Sequence, residues 1–196
     1  MIYRIALLLS AFAPAILHAQ AAPPAAQSAP KDDLVKVALD TSAGRIVLAL
    51  DRGHAPITTA NFLRYVESGK FNGEGFYRAM PLADGGLIQG GITTDARKIG
   101  APIAHEPSSQ TGLKHVAGTI SMASSAPGTA RSDFFILMSD VPSFDATFAP
   151  FGRVIEGMDV VKIIFAAPRS PTKGEGVMKG QMLDPVVKIV KAVRLR

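Results

Sequence analysis

The chain has 196 residues, of which 47% are hydrophobic, with 21 Lys and Arg residues against 16 Asp and Glu residues. This length suits a single domain, and the composition is that of a globular protein, not of a disordered or fibrous one. The formal net charge of +5 is spread along the chain without a cluster of Lys and Arg, so we expect no nucleic-acid partner. The chain contains no cysteine, so an oxidising compartment could neither crosslink nor damage it through thiols.

Residues 1–21 have the pattern of a secretory signal peptide. Arg4 supplies a positive charge, residues 5–17 are almost wholly apolar, and Ala19 and Ala21 are small residues at the two positions that signal peptidase reads. The apolar run is too short to cross a bilayer core of about 30 Å as a helix, so a cleaved leader is favoured over a retained anchor. We therefore expect an exported, periplasmic protein with no stable membrane anchor after cleavage, and secretion to the medium as the alternative.

Residues 22–33 are rich in Pro, Ala and polar groups and have no periodic apolar face, which predicts a mobile linker. The folded domain is expected over residues 34–196. Its first two runs, residues 34–40 and 45–50, alternate apolar and polar side chains on either side of a small loop that contains Gly44. This pattern predicts a β-hairpin.

Two segments have helical periodicity. The first begins at Pro56, where a missing N–H costs nothing, places Phe62 and Val66 on one face, and ends at Gly69. The second covers residues 157–165. The rest of the domain consists of short apolar runs broken by Gly, Pro and Ser, which predict strands at residues 75–79, 87–92, 117–122, 133–138, 148–155 and from 186 onward. Many short strands and only two helices indicate a mainly β fold, either a barrel or a sandwich.

Four stretches carry a family resemblance: residues 76–81 (FYRAMP), 87–91 (LIQGG), 118–123 (GTISMA) and 132–137 (SDFFIL). Together they resemble the active face of cyclophilin-type peptidyl-prolyl cis-trans isomerases, and the likeness extends from about Val35 to the C-terminus. The resemblance implies an eight-stranded antiparallel barrel capped by two helices. It also implies a monomeric enzyme that rotates X–Pro bonds in unfolded or extended polypeptides without a cofactor or metal.

The resemblance assigns catalytic roles to Arg78, Gln89 and Phe135. Rotation about an amide bond has a barrier of about 18–20 kcal/mol, and the twisted prolyl nitrogen regains a lone pair that a fixed donor can stabilise. A guanidinium suits this task because it is charged, planar and rich in donors, and Arg78 matches the family arginine. Gln89 matches a glutamine that hydrogen-bonds the substrate backbone, and Phe135 matches the aromatic floor of the proline pocket. The alternative for a lone arginine is a surface ion pair.

The resemblance also assigns substrate-binding positions: Leu87, Met122, Ala123, Ser124, Asp133, Phe144 and Phe148. Leu87 and Met122 match pocket walls, and Ala123 and Ser124 match positions whose backbone pairs with the extended peptide. Phe144 and Phe148 stand where the family has a leucine and a histidine. Phe134, by contrast, is expected in the core, because adjacent strand residues face opposite sides.

The chain departs from the family pattern around the pocket. The spacing from Arg78 to Gln89 is longer than is common, which predicts an extra loop at residues 82–86 and places Gly86 where a pocket phenylalanine normally stands. Ser143 occupies the position of the usual rim aromatic.

At Asp133 the family has a glutamine, and we expect this carboxylate to pair with Arg131. These differences leave a rival function open: a non-catalytic peptide-binding chaperone or assembly module on the same barrel.

Other chemistries have weaker support. The four histidines, His18, His54, His105 and His115, have no metal-ligand spacing with one another, so we expect no metal site. Ser, His and Asp are all present, but no Gly-x-Ser-x-Gly elbow supports a hydrolase.

Overall fold

Eight antiparallel strands close into one barrel in the computed structural model, which describes residues 33–196. The strands are β1 Leu34–Thr41, β2 Gly44–Asp51, β3 Gly75–Leu82, β4 Gly85–Gly91, β5 Thr119–Met122, β6 Phe134–Leu137, β7 Ala149–Glu156 and β8 Met182–Arg194. The helices are α1 Pro56–Glu67, α2 Ser108–Thr111 and α3 Met158–Ala166. The predicted signal peptide, and the predicted linker apart from Asp33, lie outside the described residues.

The barrel has the strand order β1-β2-β7-β5-β6-β4-β3-β8, and β8 pairs with β1 to close it. Closure leaves no unpaired sheet edge, whereas a sandwich would have kept two open sheets. The predicted mainly β, eight-stranded antiparallel barrel is therefore confirmed, and the sandwich alternative is excluded.

Helices α1 and α3 cover opposite ends of the barrel. Helix α1 follows the end of β2, whereas Val160 of α3 packs beside Gly44 at the start of β2. Phe62 of α1 inserts its ring into the barrel core, where its centroid lies 5.2 Å from that of Phe134 and 5.3 Å from that of Phe151. The two capping helices were predicted; α2, a four-residue helix, was not. No helix of residues 33–196 is long and apolar enough to cross a membrane.

Strand β3 contains a bulge at Tyr77. Phe76 pairs with Gly90, and Arg78 pairs with the adjacent residue of β4, Gln89, so Tyr77 is an extra residue on β3. Because side chains alternate between the two faces of a strand, a regular β3 would turn Arg78 to the same face as Phe76, which is the barrel interior. The extra residue instead brings Arg78 to the outer face of the sheet, beside Gln89.

The hairpin between β3 and β4 is tighter than the sequence predicted. The strands continue to Leu82 and Gly85, and only Ala83 and Asp84 form the turn. The predicted loop at residues 82–86 is therefore wrong. The additional residues lengthen both strands because they pair with one another: Pro81 lies opposite Gly86 and Leu82 lies opposite Gly85.

Gly86 lies in this hairpin beneath α3. A Cβ atom built on Gly86 would lie 2.6 Å from the carbonyl oxygen of Met80 and 2.7 Å from Cζ of Phe165. Only glycine allows the hairpin and the helix to approach this closely.

We expect Gly86→Ala to lower the free energy of unfolding by about 1–3 kcal/mol, because the added methyl group must displace either the backbone of β3 or the Phe165 ring. Urea unfolding followed by circular dichroism measures this change. Ala83→Ser, in the exposed turn of the same hairpin, is the matched control and should stay within about 0.5 kcal/mol of the parent. Equal stability of Gly86→Ala and the parent would contradict the close approach of α3.

Candidate active site

A cavity of about 670 Å³ lies on the outer face of β3, β4 and β6, with the segment from residue 141 to 148 along one side. The strand alternation decides which side chains face it, because Arg78, Gln89 and Phe135 are cross-strand neighbours on this face. The polar part of the lining includes Arg78, Gln89 and Asp133, and the apolar part includes Met80, Leu87, Phe135, Phe144 and Phe148.

The Arg78 side chain is only 9% exposed and is held by three acceptors. Its Nε donates to Oε1 of Gln181 at 2.9 Å, Nη1 donates to Oε1 of Gln89 at 2.9 Å, and Nη2 donates to Sδ of Met80 at 3.0 Å. Burial lowers the pKa of the guanidinium from its usual value, but an arginine stays protonated in a protein. None of the ion pairs formed within residues 33–196 includes Arg78. The alternative prediction for Arg78, a surface ion pair, is therefore wrong.

Gln89 is hydrogen-bonded to Tyr77, and Tyr77 is hydrogen-bonded to Asp133. Its Nε2 donates to the Tyr77 hydroxyl at 2.6 Å, and that hydroxyl donates to Oδ2 of Asp133 at 2.9 Å. Burial and the neighbouring Asp133 carboxylate raise the pKa of Tyr77, so the phenol stays protonated and can donate. Burial also raises the pKa of Asp133, against the opposing hydrogen bonds from Tyr77 and Ser132.

Three aromatic rings form the apolar end of the cavity. Phe135, 3% exposed, meets Phe148 with ring centroids 5.2 Å apart and planes at 80°, and meets Phe144 at 5.8 Å and 82°. Such edge-to-face contacts fix the orientation of the rings beyond what apolar burial alone would do. With Leu87 they form the rigid apolar end of the cavity.

Behind this floor, Ser121, His115 and Asp145 follow one another in the hydrogen-bond order of a hydrolase triad. Nδ1 of His115 lies 2.8 Å from Oδ1 of Asp145, and Nε2 lies 3.0 Å from Oγ of Ser121. A carboxylate only accepts, so Nδ1 carries the proton, and Nε2 of the neutral ring accepts from the Ser121 hydroxyl. Ser121 is 0% and His115 is 1% exposed, so no substrate can reach the hydroxyl. The burial of the serine argues against the hydrolase alternative.

His115 instead supports the pocket floor. Its ring stacks on Phe135 with the planes 19° apart and the centroids 6.1 Å apart, and it meets Phe144 at 6.0 Å and 80°. The hydrogen bonds to Asp145 and Ser121 fix the imidazole, and the imidazole fixes the phenylalanine that lines the cavity.

Most of the residues singled out in the sequence line this one cavity: Arg78, Leu87, Gln89, Ala123, Ser124, Asp133, Phe135, Phe144 and Phe148. Ala123 is constrained further, because its N–H already donates to the carbonyl oxygen of Asp133 at 2.8 Å and is not available to a peptide. Phe134 is fully buried in the barrel core, as its alternation with Phe135 predicted.

Met122 is the exception, and its predicted place in the pocket wall is wrong. It is 1% exposed, pairs with Phe134 across β5 and β6, and packs in the barrel core. The alternation that turns Phe134 inward also turns Met122 inward, and leaves Ser121 facing the pocket floor.

Two other expectations around the rim are corrected. The Asp133 carboxylate does not pair with Arg131 among the ion pairs of residues 33–196, and instead accepts from Tyr77 and Ser132. Gly86 does not take the place of a pocket phenylalanine, because it lies beneath α3 while Met80, two residues after Arg78, occupies the cavity wall. Ser143 is exposed and does not contribute to the cavity lining.

Sequence reasoning also missed Tyr77, Met80, His115 and Gln181 as parts of the site. Met80 could have been found, because it lies two residues from Arg78 and therefore on the same strand face. Gln181 is separated from Arg78 by more than a hundred residues, and no local pattern connects the two. Within residues 33–196, no three His, Asp or Glu side chains lie close enough together to hold a metal ion.

The buried His115 and its partly exposed partner Asp145 make the free energy of unfolding depend on pH. Burial lowers the pKa of His115, although the hydrogen bond to Asp145 opposes the change. Burial disfavours ionisation of Asp145 as well, but hydrogen bonds from His115, Lys114 and Ser108 outweigh it and lower the pKa of Asp145 to about 2. In both cases the unfolded chain takes up the proton first as pH falls, so the folded state loses stability on acidification.

We therefore expect the free energy of unfolding to fall below about pH 6.5, where an unfolded histidine protonates, by at most about 1.4 kcal/mol per pH unit. Below about pH 4, Asp145 should add a second loss. Urea midpoints measured across this range test the first step, and His115→Gln should start less stable but show a flatter slope between about pH 5 and pH 7. The same slope in His115→Gln and the parent would show that another group causes the dependence.

Comparison with known proteins identifies the relatives of this chain. The family model described as cyclophilin type peptidyl-prolyl cis-trans isomerase/CLD matches residues 35–193. The chain is 41% identical over 133 residues to peptidyl-prolyl cis-trans isomerase A of Dickeya dadantii, covering 63% of this chain and 67% of the relative. It is 38% identical over 149 residues to a peptidyl-prolyl cis-trans isomerase of Streptomyces antibioticus, covering 70% and 87% of the two chains.

Solved structures with a similar fold belong to the same family as these relatives. A crystal structure of a cyclophilin-type peptidyl-prolyl cis-trans isomerase from Cryptosporidium parvum superposes with a TM-score of 0.71 and 25% identity, covering 84% of this chain and 99% of that one. A second structure of that protein, in the presence of the dipeptide Ala-Pro, gives a TM-score of 0.69 and 26% identity over 82% and 99% of the chains. With its family match, its relatives and its closed barrel, the chain belongs to the cyclophilin family of peptidyl-prolyl cis-trans isomerases.

Proposed function

We propose that this protein accelerates cis-trans rotation about X–Pro bonds in unfolded or extended polypeptides. The observation that carries the proposal is the Arg78 guanidinium, which has no ion-pair partner among residues 33–196 and lies at the polar end of a cavity whose other end is a rigid aromatic floor. The names of its relatives and the Ala-Pro dipeptide used with the Cryptosporidium parvum protein support the same substrate class.

The chemistry requires no nucleophile, because no bond between heavy atoms breaks. In the transition state the amide is twisted out of its plane and loses its resonance. The prolyl nitrogen regains its lone pair and therefore becomes pyramidal and basic. A donor already aimed at that nitrogen stabilises the twisted form more than either planar form, which lowers the barrier. Arg78 has five N–H groups, three of which are engaged within residues 33–196, so one N–H on each terminal nitrogen is left for the substrate.

The other residues of the site bind the proline ring and position the substrate backbone. Phe135, Phe144 and Phe148 receive the proline ring, whose burial supplies binding energy and holds the amide near the guanidinium. Gln89 holds Arg78 through Oε1 and keeps one amide N–H for the substrate backbone. Uncatalysed X–Pro isomerisation takes about tens to hundreds of seconds and can limit the rate of protein folding. An enzyme that accelerates this rotation therefore speeds folding.

Arg78→Ala should lower kcat/KM by about 10²–10³-fold, because it removes the donor aimed at the twisted amide while leaving the apolar floor in place. The measurement is a cis-to-trans assay on a short Ala-Pro-Phe-type peptide, with the chain from residue 22. Arg97→Ala is the matched control, since Arg97 is a surface arginine with a side chain 91% exposed, and its rate should equal that of the parent.

Each contrary outcome has its own meaning. Acceleration that persists in Arg78→Ala would keep the activity and reject the role of the guanidinium. A folded parent protein that binds the peptide but does not accelerate exchange would favour the rival, a non-catalytic peptide-binding chaperone or assembly module.

We further propose that the protein acts as a monomer in the periplasm. The support is the leader-like pattern of residues 1–21, with secretion to the medium as the alternative destination. Mass spectrometry of the protein recovered from a periplasmic extract tests this: a mature mass that lacks the leader supports export, whereas an intact N-terminus in the cytoplasm refutes it.

A further inference from the structure

The hydrogen bonds around the guanidinium continue beyond Gln89. Arg78 donates to Gln89, Gln89 donates to Tyr77, and Tyr77 donates to Asp133, over 2.9, 2.6 and 2.9 Å. We propose that Tyr77 and Asp133 are positioning residues for Arg78: the Asp133 carboxylate orients the Tyr77 hydroxyl and, through it, helps to hold the Gln89 carbonyl oxygen toward the guanidinium. This inference rests on the isomerase activity proposed above.

The two ends of the Gln89 side-chain amide differ in what they can do, because the oxygen only accepts hydrogen bonds and the NH₂ group only donates them. A glutamine side chain fits the same space in either of two orientations, with its oxygen or its NH₂ group toward Arg78. Only the first gives the guanidinium an acceptor, whereas the second sets donors against donors. The Tyr77 hydroxyl can donate or accept, so by itself it favours neither orientation.

An ionised carboxylate removes the ambiguity because it has no proton to donate. Tyr77 must then donate to Asp133, its oxygen is left to accept from Nε2 of Gln89, and Oε1 of Gln89 is left for Arg78. The direction of every hydrogen bond in the chain is therefore fixed from both ends, by Arg78, which can only donate, and by the ionised Asp133, which can only accept. Arg78 itself does not touch Asp133, so the effect passes through Gln89.

The packing around Asp133 holds the carboxylate in place. A Cβ atom on Gly91 would overlap Oδ1 of Asp133 and lie 2.8 Å from Cγ, so only glycine lets β4 pass this closely. Ser132 donates to Oδ1 at 3.2 Å. These contacts leave Oδ2 directed at the Tyr77 hydroxyl, at the bulge of β3.

The surrounding charges single out Asp133 as the titrating group. Arg78 and Arg131 are the other charged side chains in the cavity lining, and beyond Gly91 Glu74 forms an ion pair with Lys98 at 2.8 Å. Tyr77 does not titrate near neutral pH, because burial raises its pKa. Burial raises the pKa of Asp133 too, so this carboxyl takes up a proton at a higher pH than an ordinary aspartate.

A protonated Asp133 has both a donor and an acceptor, like the glutamine that the family carries at this position. It no longer fixes the direction from its end of the chain, so only the Arg78 donors are left to orient the Gln89 amide, and the amide and the guanidinium are held less firmly. The orientation of the catalytic guanidinium is therefore tied to the charge on Asp133, and activity should decline as that charge is lost.

The experiment compares kcat/KM from about pH 4 to about pH 8 for the parent, Tyr77→Phe and Asp133→Asn. The parent should lose activity on the acid side, above the ordinary carboxyl pKa of about 3.9. Each variant should be about five- to tenfold slower near pH 7.5 with a flat acid side, and the double variant no slower than Tyr77→Phe alone, because both act through one chain. Asp84→Asn, in the exposed turn of the same hairpin, should match the parent.

A readout independent of catalysis accompanies the rates. In ¹⁵N-labelled parent protein, the Arg78 Nε–H and the Gln89 side-chain amide resonances should shift together as Asp133 titrates, and should be insensitive to pH in Asp133→Asn. Urea unfolding confirms that the variants are folded, and Asp133→Asn should be no less stable, because burial disfavours the ionised carboxylate.

The contrary outcomes are distinct. A parent enzyme with a flat profile, or an Asp133→Asn variant with the parent's rate and profile, would overturn the inference and leave the isomerase standing. A parent without activity would reject the proposed function, and the resonances of Arg78 and Gln89 would then decide whether Asp133 still orients the pair.

Discussion

One extra residue in β3 is the constraint on which the whole site depends. Without the bulge at Tyr77, the alternation of the strand would turn Arg78 into the barrel with Phe76, where a guanidinium would have no acceptors and no access to a ligand. With it, Arg78 lies beside Gln89 on the outer face, and the bulged residue supplies the hydroxyl that holds Gln89. The bulge therefore places the charge and provides part of its support.

The two ends of the cavity are built by different means. At the polar end, the buried Arg78 cation donates hydrogen bonds to Gln181, Gln89 and Met80, and it has no ion-pair partner within the described residues. At the apolar end, ring contacts fix Phe135, and a neutral His115 fixed by Asp145 lies behind it. Neither end belongs to the main barrel core, since Phe135 packs in a separate small cluster with Leu87 and Leu137. The barrel thus supplies a rigid sheet, and the site lies on its outer surface.

The sequence predicted the features that depend on local periodicity. Strand alternation placed Phe134 in the core and Phe135 outside it, and the Pro56 start located the first capping helix. The same rule, applied to β5, turns Met122 inward. The family resemblance instead predicted that Met122 lies in the pocket wall, and the structure contradicts that prediction. At Met122 alternation was the better guide, whereas at Arg78 the resemblance was, because the bulge at Tyr77 interrupts the alternation of β3.

What could not be predicted depends on pairing across the chain. The bulge at Tyr77 is a property of the register of β3 with its neighbours β4 and β8, and nothing in a single strand reveals it. The extra residues of the hairpin could form a loop or lengthen two strands, and only the partners available across the ladder decide which. Gln181 reaches Arg78 from a distant segment, and His115 meets Asp145 for the same reason.

The central claim is that catalysis requires a planar fork of donors held in one orientation, and not a positive charge alone. Arg78→Lys tests it most directly, because lysine keeps the charge but has neither the fork nor the reach to Gln181, Gln89 and Met80 together. Exchange spectroscopy by NMR on a proline-containing peptide, with a catalytic amount of protein, measures the interconversion of the cis and trans forms. We predict that Arg78→Lys loses at least about tenfold in rate while remaining folded and peptide-binding. A lysine variant with the parent's rate would contradict the account.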